Sequence, residues 1–205
     1  MKIAYIECFS GISGDMFLGA LLHAGLDERA LREMLSNIGV TNEELVIEPV
    51  VKKGVSAVSI EVLPAKARHH LHVADIRKLM THECLPEEVS KRALHAFELI
   101  ISAESLIHNM PEEKVHLHEV SGLDTVVDIL GVMFGLHALG IEKVVSTPVT
   151  VGSGTVTIAH GTVPVPAPAT MEILKDVPIM SAGLPGERVT PTGAALLKTV
   201  VDAYG

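Results

Sequence analysis

Between Gly122 and Leu139 runs a stretch that has no surface side. Val126, Val127, Ile129, Leu130, Val132 and Met133 cover most of a helix there, and a helix apolar all round has to be enclosed by other elements. Its exceptions share a face. Asp124, Asp128, Gly131 and Gly135 are spaced four, three and four residues apart, so they form one stripe with two carboxylates at one end and bare backbone at the other. Carboxylates on a buried face are costly unless a cation or hydrogen-bond donors satisfy them. The stripe therefore predicts a metal or substrate cation near Asp124 and Asp128, with helix capping as the alternative role for Asp124.

The segments around this helix alternate in period. Lys2 to Cys8 reads as a buried strand, Ser10-Gly11-Ile12-Ser13-Gly14-Asp15 as a loop, and Met16 to Ala24 as a helix. A second helix, about Asp27 to Asn37, stops at Gly39. Leu45 to Val51 and Val55 to Leu63 are rich in Val and Ile and read as a hairpin joined through Lys52-Lys53-Gly54. Val73 to His108 is helical with a break at Leu85-Pro86. After Gly140 come a strand through Val149, another at Thr155 to Ile158, and the run Val163-Pro164-Val165-Pro166-Ala167-Pro168, which is extended and unsuited to a central strand. A short helix at Ala169 to Lys175, a strand near Pro178 to Ala182 and a closing helix from Thr192 to Tyr204 complete the pattern. Strands and helices interleave without strict alternation, which predicts an α/β or α+β fold with a mixed β-sheet packed with helices. One principal domain, residues 1–205, suits this length.

Composition removes several function classes. The net charge of -9 and the absence of Trp leave neither a basic patch nor stacking aromatics for nucleic acid. No apolar run reaches the roughly 18 to 20 residues of a membrane helix, and Glu7 and Asp15 interrupt the N-terminal apolar run where a secretory signal would need it unbroken. Two cysteines, Cys8 and Cys84, fit a reducing cytoplasm. Apolar helices near both ends accommodate a homo-oligomer and an ordinary core equally.

Five of the eleven histidines fall in two runs, Arg68-His69-His70-Leu71-His72 and His116-Leu117-His118-Glu119. In extended backbone His70 pairs with His72, and His116 with His118, on one face. Imidazoles mixed with carboxylates indicate a divalent transition ion without naming it. Neither a Cys-x-x-Cys pair nor a His-Glu-x-x-His helix is present, which excludes the common thiolate zinc sites and the zincins. In the opening loop, the N–H groups around Gly11, Ser13 and Gly14 suit a phosphate at a helix start; a plain turn with Ser13 as N-cap is the alternative. Asp15 either favours the helix N-terminus by charge or binds a metal that neutralises the phosphate. Thr190-Pro191-Thr192-Gly193 offers a second anion site, with ordinary capping by Thr190 or Thr192 as its simpler reading. Cys8 is a ligand candidate or a buried structural thiol. No nucleophile elbow or catalytic triad is visible.

Six motifs carry a resemblance in order: Cys8 to Met16, Arg68-His69-His70, His116-Leu117-His118-Glu119-Val120, Gly152-Ser153-Gly154, His160 to Thr170 and Thr190 to Ala195. Together they resemble the LarC-type nickel-insertion family of nickel-pincer cofactor biosynthesis. The resemblance implies a cyclometallase of the lyase class that inserts Ni(2+) into pyridinium-3,5-bisthiocarboxylic acid mononucleotide, using CTP with Mn(2+) or Mg(2+). Its product would serve lactate racemase and related enzymes, so the receiving apo-enzyme is an expected partner. In that frame Gly11, Ser13, Gly14, Thr190 and Thr192 would hold the substrate phosphate, and Asp15, Glu119 and Asp124 would be catalytic. His70, His72, His116, His118 and Asp128 would hold metal. The family continues past the Thr190 to Ala195 helix into a CTP-associated C-terminal domain, so the chain reads as the N-terminal portion, with that domain or a split partner of the same family as an expected partner. Two other classes stay open: a non-catalytic nickel-binding and delivery protein, and a metal-dependent phosphoesterase.

Overall fold

The computed structural model describes residues 1–63, 71–115, 122–158 and 161–205. In chain order its elements are β1 (Ile3–Ile6), α1 (Gly14–His23), α2 (Glu28–Asn37), β2 (Leu45–Lys52), β3 (Val55–Val62), α3 (Val73–Met80), α4 (Glu87–His108) and α5 (Leu123–Ala138). There follow β4 (Lys143–Ser146), β5 (Val149–Ser153), β6 (Thr155–Ile158), β7 (Gly161–Pro164), α6 (Pro168–Ile173), β8 (Ile179–Pro185), α7 (Pro191–Val200) and β9 (Ala203–Tyr204).

The all-round apolar helix is enclosed as its sequence requires. α5 touches α1, α2, α3, α4, α7 and β3, and eleven of its residues are buried. The glycine end of its stripe is the α1 contact: a Cβ on Gly131 would meet Leu18 Cδ2 at 2.5 Å, and one on Gly135 would meet Leu21 Cδ1 at 2.9 Å. The missing side chains let two helices approach closely over about one turn. A single apolar cluster then joins α1, α2, α3, α4, α5, α6 and α7.

The strands mix parallel and antiparallel pairing but lie in four small ladders. β1 and β9 flank β4, both parallel to it. β2 and β3 form the expected hairpin, turned through Lys53 and Gly54 at φ 50° and 83°, the positive angles that match strand twist in a two-residue turn. β5 pairs with β8 in parallel, and β6 with β7 antiparallel. The proline run thus contributes to a strand only through β7, in a ladder with no central position, as proline demands.

Four expectations are corrected. β1 is not buried on both faces: Ile3 and Tyr5 are 50% and 56% exposed while Ala4 and Ile6 turn to the core, so only one face of the strand is covered. The single strand expected through Val149 is two strands, interrupted at Thr147-Pro148, where proline cannot continue a ladder. The short helix ends at Ile173, before the expected Lys175. The closing helix stops at Val200, and residues beyond it return to extended backbone: Asp202 accepts the Val144 N–H at 2.8 Å through its carboxylate, and its own N–H donates to the Val144 carbonyl at 2.9 Å. β9 is the result.

Candidate functional site

Three helix starts meet at one cleft of about 390 Å³, lined by the first turns of α1, α5 and α7 and by the end of β3. The positive ends of three helix dipoles therefore face a shared space. Asp15, Asp124, Asp128, Glu61 and Glu187 line it, and among the described residues no Lys, Arg or His does. The sequence spacing had aligned Asp124 with Asp128; the fold adds Asp15 from another helix.

Contacts between the helices explain the local sequence. Ser13 precedes α1, but its hydroxyl donates to the Asp15 carboxylate instead of capping the helix. The cap comes from α5: the Asp15 N–H donates to Asp128. Gly14 makes this possible, since a Cβ there would lie 2.3 Å from Asp128 Oδ2. Burial raises the Asp128 carboxyl well above the usual carboxylate range; the negative charges of Asp15 and Asp124 push the same way, and the Asp15 N–H pulls back. Asp124 is exposed in the first turn of α5, while the N-cap itself is Gly122. On α7, Thr190 is the N-cap and accepts the Gly193 N–H at 3.1 Å, so its capping reading holds. Thr192 differs: it is 8% exposed, lines the cleft, and its hydroxyl has no hydrogen-bond partner among the described residues.

Of the residues expected to hold phosphate, Ser13, Gly14, Thr190 and Thr192 reach the cleft and Gly11 does not. Gly11 sits at φ 91° with its N–H on the Cys8 carbonyl at 3.1 Å, and a Cβ there would lie 1.8 Å from the Arg188 carbonyl oxygen. That glycine is required by backbone packing. The neighbouring Ile12 N–H is likewise used, donating to the Arg188 carbonyl at 2.9 Å, which ties the α1 loop to the α7 loop and sets the cleft's width. Cys8 is buried at 1% exposure with its sulfur 3.6 Å from the Ser146 hydroxyl, and burial pushes its thiol pKa up. It is structural.

The expected metal residues are only partly described. His72 is exposed at the N-cap of α3, where its N–H donates to the Asp75 carboxylate at 3.3 Å, and it does not line the cleft. His70, His116, His118 and Glu119 lie outside the described residues. Among the described residues no three His, Cys, Asp or Glu side chains stand close enough to hold a metal unaided. A magnesium-like ion does not need them to, because it is commonly held by one or two carboxylates together with waters and substrate phosphate. The cleft's oxygen donors fit that class of ion, with Asp15 and Asp124 as the exposed carboxylates of its helix starts. Sequence reasoning missed Glu61, Thr125 and Glu187 as lining residues. Glu61 had one readable signal, its place at the end of the hairpin just before the first histidine run; the other two had none.

A family model described as nickel insertion protein matches residues 4–205. A pyridinium-3,5-bisthiocarboxylic acid mononucleotide nickel insertion protein of Desulfitobacterium hafniense is 43% identical over all of this chain and 51% of its own length. Proteins of the same name from Geobacillus kaustophilus and Thermotoga petrophila are 42% and 45% identical, again over the whole chain and over 52% and 53% of theirs. The chain thus spans about half the length of the curated relatives it matches. No solved structure gives a significant match. Matched by the family model from residue 4 to residue 205, the chain belongs to the nickel insertion protein family.

Proposed function

We propose that this chain carries the substrate cleft for nickel insertion into pyridinium-3,5-bisthiocarboxylic acid mononucleotide, the compound named for its relatives. The observation that carries the reading is the cleft's acidity: five acidic side chains with no described basic residue, at the convergence of three helix N-termini. Such a site accepts a ligand that is both cationic and anionic. A pyridinium ring answers the carboxylates, and a phosphate answers the helix N–H groups and the unpaired Thr192 hydroxyl. Phosphate still faces repulsion from Asp15 and Asp124, which Mg(2+) or Mn(2+) bound by those residues would offset. Asp128 holds the start of α1 in place, and burial beside Asp15 and Asp124 favours its protonated form, a preference that an arriving cation would oppose.

Nickel is cargo in this reading. Val62 and Asp124 line the cleft; in sequence Val62 precedes the first histidine run and Asp124 follows the second. CTP use, the lyase-class cyclometallation and delivery to a lactate racemase-type apo-enzyme in the cytoplasm complete the proposal, with CTP bound by the half of the longer relatives that this chain does not span.

The test is calorimetric titration of the mononucleotide, with magnesium and without nickel, into wild type, Asp124→Asn and Thr192→Val. We expect each substitution to weaken binding at least tenfold, about 1.4 kcal/mol, with unchanged circular dichroism. Undiminished binding in both folded variants overturns the cleft assignment. Nickel binding without any mononucleotide binding would mark a delivery protein instead.

A further inference from the structure

His82 and Cys84 stand apart from the cleft, in the turn between α3 and α4, and no role described so far uses them. The Cys84 thiol is exposed, and its sulfur lies 3.0 Å from His82 Nδ1. The Cys84 backbone N–H, which can only donate, points at the same Nδ1 at 3.4 Å. Nδ1 is thus the acceptor nitrogen, and the lone pair it turns toward that N–H and the sulfur is the one a metal would take in their place. The turn is fixed by backbone bonds from His82 N–H to Leu79 and from Leu85 N–H to His82, at 3.3 and 3.0 Å, and by the buried Leu85. One nitrogen and one sulfur are therefore presented side by side on a fixed scaffold.

Their separation selects a geometry. Bonds of about 2.0 Å to nitrogen and about 2.3 Å to sulfur span roughly 3.1 Å at a right angle but roughly 3.5 Å at a tetrahedral angle. The observed 3.0 Å matches the right angle, which square-planar and octahedral ions share and a tetrahedral ion does not; with a thiolate among the donors, the square-planar ions nickel(II) and copper(II) fit best. We propose that His82 and Cys84 form a two-donor surface site for a square-planar divalent ion of the nickel class, with the remaining positions open to water or to an incoming carrier. On binding, the thiol proton leaves to solvent, sulfur and Nδ1 each donate a lone pair, and no electron changes hands. Two donors hold an ion loosely enough to pass it on, so the site suits a landing place for cargo. Only the choice of nickel over copper rests on the proposed function.

The chain's other cysteine, Cys8, is 1% exposed, so a thiolate-to-nickel charge-transfer band in the near ultraviolet reports Cys84 alone. Metal-free protein of 205 residues is titrated with nickel chloride, without mononucleotide, for wild type, Cys84→Ser and His82→Ala. We expect the band in wild type, its loss in Cys84→Ser, and at least a tenfold weaker half-saturation in His82→Ala. Blocking Cys84 with iodoacetamide in wild type should also abolish it, which covers any folding defect of the serine variant. Absence of the band in wild type, its survival in Cys84→Ser, or identical titration of His82→Ala overturns the site. Full displacement of nickel by an equal concentration of zinc overturns the square-planar assignment. Mononucleotide binding to the cleft is measured without nickel, so either proposal can fail alone.

Discussion

Asp128 joins the fold to the cleft in a single side chain. Its carboxyl terminates α1 through the Asp15 N–H, and burial with two neighbouring carboxylates favours its protonated form. A carboxyl with a raised folded-state pKa binds its proton more tightly folded than unfolded, so stability is highest below the ordinary carboxylate pKa. It falls as pH rises through that value toward the folded-state pKa. Asp128→Asn keeps an oxygen acceptor for Asp15 and removes the ionisation. The variant should melt higher than wild type at neutral pH in the presence of a chelator, and should lose less stability between about pH 4 and 7. Thermal melts across that range check this; parallel curves for the two proteins would refute it. Adding magnesium should narrow the gap, because a cation favours the ionised form. Asp124 and Asp128 could be read from helical spacing alone. The true cap of α1 could not, because Ser13 has a capping residue's chemistry and position, and only the tertiary approach of α5 through Gly14 supplies the competing acceptor.

At the scale of elements, the sequence was most legible where chemistry is local. The break at Leu85-Pro86, the Lys53-Gly54 turn and the end of α2 before Gly39 need only neighbouring residues. What escaped depends on distant partners: β9 exists because Val144 offers its N–H and carbonyl to Asp202, and no periodicity announces that. The tie between α3 and α4 is another such long-range device. Arg77 on α3 donates to both Glu98 carboxylate oxygens on α4 at 2.7 Å and to Glu112 at 2.8 Å, and these bonds hold its guanidinium firmly protonated. All three side chains are about one-third exposed, so solvent screens the ion pairs without cancelling them. Arg77→Met keeps the stem but leaves two carboxylates facing each other. It should cost about 1–3 kcal/mol, with each kcal/mol lowering the melting temperature by roughly 2–4 °C at this size. Adding Glu98→Gln should recover part of the loss, and a double-mutant cycle measures how much; additive losses would mean the three groups do not act together.

For the whole molecule, the decisive long-range fact is the enclosure of α5, and it follows from the helix's own sequence: apolar residues on every side leave no orientation in which it could sit at a surface. How the neighbours were arranged was less legible, since small residues on a stripe fit a bound ligand, a membrane partner or a close helix. Only the meeting of Gly131 with Leu18 and Gly135 with Leu21 decides for α1. The consequence is thermodynamic. Each of α1, α2, α3, α4 and α7 packs on α5, and the apolar cluster runs through all of them, so detaching any one exposes apolar surface on the shared hub. The four small ladders add no separate core, being two or three strands each. Unfolding should therefore be a single cooperative transition, with calorimetric and van't Hoff enthalpies equal. At about 0.7 kcal/mol per residue near 60 °C, the 205 residues should absorb roughly 140 kcal/mol. Two resolved heat-capacity peaks, or a van't Hoff enthalpy near half the calorimetric one, would show that α5 does not bind the two ends of the chain into one folding unit.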